Sequence, residues 1–219
     1  SDLCPMDSNK HEPGLCGCGI ADLDTDQDGL ADCMDSCPAL PGAIGSPCDD
    51  ADPGTTNDLI TATCECLGFI PQVIVAARLF LEGCYDSQAL LLRDDLRTAG
   101  VIPLAEPYSA LGYGLLSSVL GTTIPTSALA VEGNNAIVDW VLVELRDAAS
   151  PGSHITSRAA LLQRDGDVVD VDGISPVTLN ATDGDYYVAV RHRNHLGCMT
   201  ASPMALSFSP ISIDFTSPT

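Results

Sequence analysis

Residues 137–145 read Ile137-Val138-Asp139-Trp140-Val141-Leu142-Val143-Glu144-Leu145. The run is rich in β-branched and aromatic side chains, which suit a pleated strand. At a period of two, Ile137, Asp139, Val141, Val143 and Leu145 lie on one face, and Val138, Trp140, Leu142 and Glu144 on the other. Both faces are mostly apolar, so the spacing predicts a central strand over 136–146, covered on both sides.

Working outward, shorter runs of the same kind occur at 73–81, 89–93, 128–131, 155–162, 168–171, 177–179, 186–192 and 204–208. Turn signals separate them: Gly133-Asn134-Asn135, Pro151-Gly152, Asp165-Gly166, Asp172-Gly173 and Asp183-Gly184. Short strands at this spacing predict that residues 69–219 form an antiparallel β-sandwich, Ig-like or jelly-roll-like. Residues 109–127 read either as a long loop or as a short helix. The last run, Ile211-Ser212-Ile213-Asp214-Phe215, alternates apolar and polar after Pro210. It is either the final strand of its own sandwich or a strand donated to a neighbouring copy.

Upstream of Gly68–Pro71 the texture changes. Residues 1–68 hold 14 acids against Lys10 alone, and eight of the chain's ten cysteines: Cys4, Cys16, Cys18, Cys33, Cys37, Cys48, Cys64 and Cys66. Such an acidic segment has too few large apolar residues to collapse unaided. Cross-links and bound cations are the physical remedy, so the segment is expected to carry little regular structure. Eight cysteines allow 105 pairings, and sequence does not choose among them. Zinc is a rival use of the thiols, but the C-x-C and C-x3-C spacings lack paired C-x2-C knuckles. Cys84 and Cys198 are expected to bridge each other, with two free thiols as the alternative. This cysteine usage points to an oxidising, extracellular compartment and to a mature secreted product whose signal has been removed.

Within that region, residues 24–35 carry acids at Asp24, Asp26, Asp28, Asp32 and Asp35, positions 1, 3, 5, 9 and 12 of a loop with Gly29 at 6. Oxygen ligands at this spacing converge on one hard cation, the glycine permits the sharp turn, and Leu30 at position 7 offers its carbonyl. A solvated acidic loop is the plainer alternative. Asp22 is placed to add a ligand to this or a neighbouring ion. A second cluster, Cys48-Asp49-Asp50-Ala51-Asp52-Pro53-Gly54-Thr55-Thr56-Asn57-Asp58, offers Asp49, Asp52, Asn57 and Asp58 to a second calcium, or else forms an Asx- and Pro-stabilised turn.

The pattern D-x-D-x-D-G-x-x-D-x-x-D-x-C-P at 24–38 resembles a thrombospondin type 3 repeat rather than an EF-hand, since Cys, Gly and Pro flank it instead of amphipathic helices. The resemblance implies that Asp24, Asp26, Asp28, Asp32 and Asp35 wrap calcium and that Cys33 and Cys37 form disulfides. The segments 139–147 and 184–197 resemble a β-rich module of large secreted bacterial surface proteins. That resemblance implies an extracellular module without catalytic residues.

A net charge of −21 argues against nucleic acid and anionic membranes as partners. No apolar run is long enough to span a bilayer, so membrane insertion is not expected. Catalytic signatures are missing: there is no G-x-S-x-G, H-E-x-x-H, phosphate loop or C-x-x-C, and the chain reads as a non-enzyme. Arg191-His192-Arg193-Asn194-His195 is the most basic patch. It reads as a polar strand end, with a docking patch or an active site as alternatives. Asp165 and Asp167 mark a hairpin turn or a further calcium site, and Asn180-Ala181-Thr182 has the form of a glycosylation sequon.

The expected function is a structural subunit of a secreted, calcium-stabilised filament or surface assembly. It would be a homopolymer joined head-to-tail through the terminal strand or through calcium. The alternative is a calcium-stabilised module of a larger adhesin that binds protein or glycan.

Overall fold

The computed structural model of this protein describes residues 2–113 and 122–216. The chain is mainly β and divides into two compact units, Ser1–Ile70 and Pro71–Thr219.

The first unit is mostly turns. Its regular structure is one antiparallel hairpin, β1 (Thr56–Ile60) with β2 (Cys66–Phe69), in a segment expected to have little. Among its described residues the buried apolar side chains are only Cys4, Ala31, Cys37 and Ile60. Four disulfides take the place of a core: Cys4–Cys18, Cys16–Cys33, Cys37–Cys64 and Cys48–Cys66. They suit an oxidising environment. Bridges closing loops of 14 to 27 residues restrict the unfolded chain by about 3 kcal/mol each.

The second unit is built from β3 (Gln72–Arg78), β4 (Tyr85–Asp86), β5 (Leu91–Leu92), β6 (Ile137–Asp147), β7 (His154–Gln163), β8 (Val168–Val169), β9 (Val177–Asn180), β10 (Gly184–His192), β11 (His195–Met199), β12 (Met204–Leu206) and β13 (Ile211–Asp214). The large sheet is antiparallel in the order β11-β10-β6-β7-β8, with β12 also pairing along β10. A second sheet runs β13-β3-β9, and β4 pairs with β5. One core joins the two larger sheets. Val73, Val75 and Ala77 of β3 meet Val141, Val143 and Leu145 of β6, with Leu162, Val177, Leu179, Val188 and Val190. The opposite face of the large sheet buries Trp140, Leu142, Ala159 and Leu161 under Ile102, Tyr108, Ile124 and Ala128. The Trp140 indole donates to Pro103 O at 2.8 Å, and the Tyr108 hydroxyl donates to Trp140 O at 2.9 Å. The predicted central strand is thus covered on both sides.

Several details depart from expectation. The register of β6 against β7 slips between Ile137 and Asp139. A bulge there exchanges the faces of the residues before it. Val138 therefore joins the core with Val141, while Ile137 joins Trp140. Residues 128–131, predicted as strand, fall in and after a short helix, α1 (Thr126–Leu129); Pro125 opens it and Ala128 is its buried side chain. Of the uncertain stretch 109–127, residues 114–121 lie outside the described ones, and 109–112 form turns. The sandwich is not wholly antiparallel, because β13 pairs with β3 in parallel. Ile213 enters the core, so in this structure the final strand completes its own sheet. Cys84 and Cys198 do not bridge. Each thiol donates instead to a carbonyl of its own surroundings, Leu81 O at 3.4 Å and Val190 O at 3.8 Å. Gly166, at φ 93°, turns the β7–β8 hairpin, and a Cβ there would meet Leu79 O at 2.8 Å.

Candidate metal centres

The loop at 24–35 is shaped by its own carboxylates. Asp24 accepts from Gln27 N at 2.8 Å and from Gly29 N at 3.1 Å. Gln27 and Gly29 both hold positive φ, 65° and 98°, and glycine carries the second without strain. Asp26 accepts from Asp28 N at 3.1 Å, and Asp28 from Leu30 N at 2.8 Å and from Gly42 N at 3.0 Å. The result places ligand oxygens of Asp24, Asp26 and Asp28 within 4.8 Å of one another.

Asp35 stands outside this trio, and its charge reaches Asp26. One of its oxygens accepts from Cys37 N at 2.9 Å. The Oδ2 atoms of Asp26 and Asp35 are buried without a hydrogen-bond partner. Desolvation, and then the neighbouring charges of Asp28, Asp35 and Asp24, push the Asp26 carboxyl up from its ordinary value. Buried carboxylate oxygens lacking donors are costly unless a cation reaches them. Asp32 behaves differently: Thr25 donates to both of its oxygens, from N at 2.8 Å and from Oγ1 at 2.7 Å. Leu30 is exposed, and its amide is spent on Asp28.

Asp22 has another cation. Lys10 Nζ lies 2.8 Å from its Oδ1, and also donates to the carbonyls of Pro13, Gly17 and Ile20 at 3.0, 3.0 and 2.6 Å. The Lys10 hydrogen bond is the first cause holding the Asp22 carboxyl below its ordinary value. The only lysine of the chain is therefore a built-in cation inside an oxygen cage. Nothing local in the sequence marks a lysine that folds back over a later turn, so this role of Lys10 emerges only from the fold.

The second cluster gathers Asp49, Asp50 and Asp58 within 4.8 Å. Asp50 accepts from Asp52 N at 2.9 Å, Thr55 Oγ1 at 3.0 Å and Gly68 N at 2.9 Å. Asp58 Oδ2 accepts from Asp50 N at 3.2 Å, while its Oδ1 is buried and unpartnered. A side chain at Gly68 would collide with that oxygen and with Thr55, so only glycine fits at this point of β2. Asp52 caps Gly54 N at 2.8 Å, and Asn57 sits at φ 56°. Asp52 does not belong to the trio, and Asp50 takes its place. The hairpin decides this, since it brings Asp58 and Gly68 across to Asp50.

The chemistry of both groups is that of hard oxygen donors, which suits calcium. No family model matches this chain, and neither a curated protein nor a solved structure matches it. No helix among the described residues is long and apolar enough to cross a membrane.

Proposed function

We propose that the first unit is a calcium-held connector and that the chain is a secreted structural subunit of an extracellular filament or surface assembly. The observation that carries the calcium reading is the set of buried, unpartnered carboxylate oxygens on Asp26, Asp35 and Asp58. Asp24, Asp26, Asp28 and Asp35 would hold one ion, and Asp49, Asp50 and Asp58 another. Calcium supplies the positive charge that this unit lacks, because Lys10 is engaged with Asp22. The resemblance of 24–38 to a thrombospondin type 3 repeat supports the same reading.

Assembly rests on the final strand. β13 has four residues, pairs among the described residues with β3 alone and follows Pro210. Exchanging it between copies would re-form the same contacts in trans, and such a heterologous contact need not close.

The test is amide exchange and electron microscopy of the whole chain with calcium and after chelation. Chelation is expected to strip protection from 24–37 and 48–68 and to disperse the assemblies. Residues 7–22, which carry their own cation, keep their protection. Identical exchange in both conditions would sink the calcium reading. A monodisperse monomer at high concentration in calcium would sink the assembly reading.

A further inference from the structure

The second unit holds a histidine pair that the calcium reading does not use. Arg193 and Asn194 form a two-residue turn between β10 and β11, so His192 and His195 are cross-strand partners. Partners in an antiparallel pair project their side chains to the same face. The Nδ1 atoms of the two rings are 2.8 Å apart, the distance of an N–H···N hydrogen bond.

The surroundings decide which ring donates. Asp139 is buried on β6; its Oδ1 accepts from Trp140 N at 2.8 Å, and its Oδ2 from Arg193 Nη2 at 2.8 Å. His192 Nε2 lies 3.1 Å from the same Oδ2 and therefore carries a proton. His192 Nδ1 accepts from Asn194 N at 3.2 Å, so it presents a lone pair. His192 is thus a neutral ring whose single proton is already placed. His195 Nε2 lies 2.8 Å from the carbonyl oxygen of Glu82, which can only accept. His195 therefore faces an acceptor at each nitrogen, and it satisfies both only as the imidazolium.

A neutral imidazole has one N–H to offer. When His195 loses a proton, either His192 Nδ1 or Glu82 O is left against a lone pair at 2.8 Å, and that contact must open. A cavity of about 220 Å³ beside the pair is also lined by Arg93, Asp95 and Cys84. The charges around the rings are already matched, Asp139 with Arg193 at 2.8 Å and Asp95 with Arg93 at 3.7 Å. Burial pushes the Cys84 thiol up, so it stays neutral, and Glu82 takes part through its backbone. The two hydrogen bonds of His195, rather than an unpaired anion, are what hold its second proton.

The contact with Glu82 is long in sequence, 113 residues, and joins the hairpin to the segment between β3 and β4. We propose that His195 is a proton-operated latch: as the imidazolium it ties the tip of the β10–β11 hairpin to the chain at Glu82, and as the neutral ring it lets one of its two partners go. Proton binding closes the latch, so its contribution to stability is present in acid and is lost as pH rises and His195 deprotonates in the folded protein.

The test is nuclear magnetic resonance of the full chain in saturating calcium, with ¹⁵N in the histidine rings and ¹³C at the Glu82 carbonyl, from about pH 5 to about pH 8. At the acid end His195 is expected to carry protons on both nitrogens and His192 on Nε2 alone, with a ¹⁵N–¹⁵N coupling across the hydrogen bond between the two Nδ1 atoms. As pH rises, either that coupling or the hydrogen-bonded shift of the Glu82 carbonyl should vanish. The amides of 82–84 and 192–195 should then exchange roughly tenfold faster against their intrinsic rates, the worth of one charge-assisted hydrogen bond. His195→Gln, which takes up no proton, should make this exchange independent of pH. His195→Ala serves if that variant is not folded by Trp140 fluorescence. A charge on His192 instead of His195, or no coupling between the rings in acid, overturns the assignment of the proton. Titration of His195 with both contacts and the exchange unchanged overturns the latch, as does a pH dependence that survives in the His195 variants. None of these outcomes depends on the calcium reading, because all the reporting residues lie in the second unit.

Discussion

The two units of this protein solve the same problem by opposite means. Residues 71–219 bury two layers of aliphatic side chains on either face of β6, and hydrophobic burial is their main stabilising term. Residues 1–70 leave Leu3, Met6, Leu15, Leu23 and Phe69 exposed and rely on four covalent bridges. The contrast follows from composition. An acidic segment cannot concentrate apolar surface, so its order must come from links that act one at a time rather than from a cooperative core.

Reduction breaks this comparison most severely. Four bridges at roughly 3 kcal/mol each are comparable with the whole stability of a folded domain. Under dithiothreitol the amides of residues 2–70 should exchange fully while the strands of the second unit stay protected, as read by exchange and mass spectrometry. Retained protection in the first unit would show that it does have a core.

Trp140→Ala strikes the other side. Removing this fully buried side chain should cost about 3–5 kcal/mol, seen as a lower guanidinium midpoint for the second unit by circular dichroism. The first unit should keep its exchange pattern.

A smaller effect is expected from Asp94→Asn. Asp94 accepts from Arg97 Nε at 2.9 Å, and Arg164 Nε lies 3.6 Å away. Desolvation opposes ionisation, but the Arg97 hydrogen bonds outweigh it and hold this carboxyl below its ordinary value. A depressed carboxyl stabilises above its unfolded value and loses that contribution as pH falls through the folded one. The variant should be less stable by about 1–3 kcal/mol near neutral pH, and the gap should shrink in acid. A gap that persists unchanged into acid would assign the effect to packing.

The smallest effect carries the opposite sign. Asp26 is pushed up by desolvation and by its acidic neighbours. Its folded state binds a proton more readily than its unfolded one, so without calcium, acidification should raise the protection of residues 24–37. With calcium bound, acid should lower it, because protons then displace the ion. Asp26→Asn should flatten the calcium-free response.

How much of this was legible depends on distance along the chain. The β6 alternation, the Asp165-Gly166 turn and the 24–28 carboxylate spacing are local patterns, and local sterics execute them. The bulge at Ile137–Asp139 is not local: pairing with β7 imposes it, and it reverses two side chains that simple alternation misplaces. Asp50 could be favoured over Asp52 only by knowing that β1 and β2 pair. Lys10 was invisible for the same reason, since its four oxygen partners come from three to twelve residues downstream and meet only when the chain folds back.

The amino-acid sequence by itself determined the division of labour in this protein: an acidic, cysteine-rich segment that needs links, followed by a β-rich segment that makes its own core. Composition and period-two patterning suffice for that, because both act over a few residues. Tertiary structure alone decided the pairing of the eight cysteines, the free thiols at Cys84 and Cys198, the parallel seat of β13, and which oxygens and ring nitrogens converge. Those are meetings of residues far apart in the chain. They are selected by the free energy of the whole fold, and no short stretch of sequence encodes them.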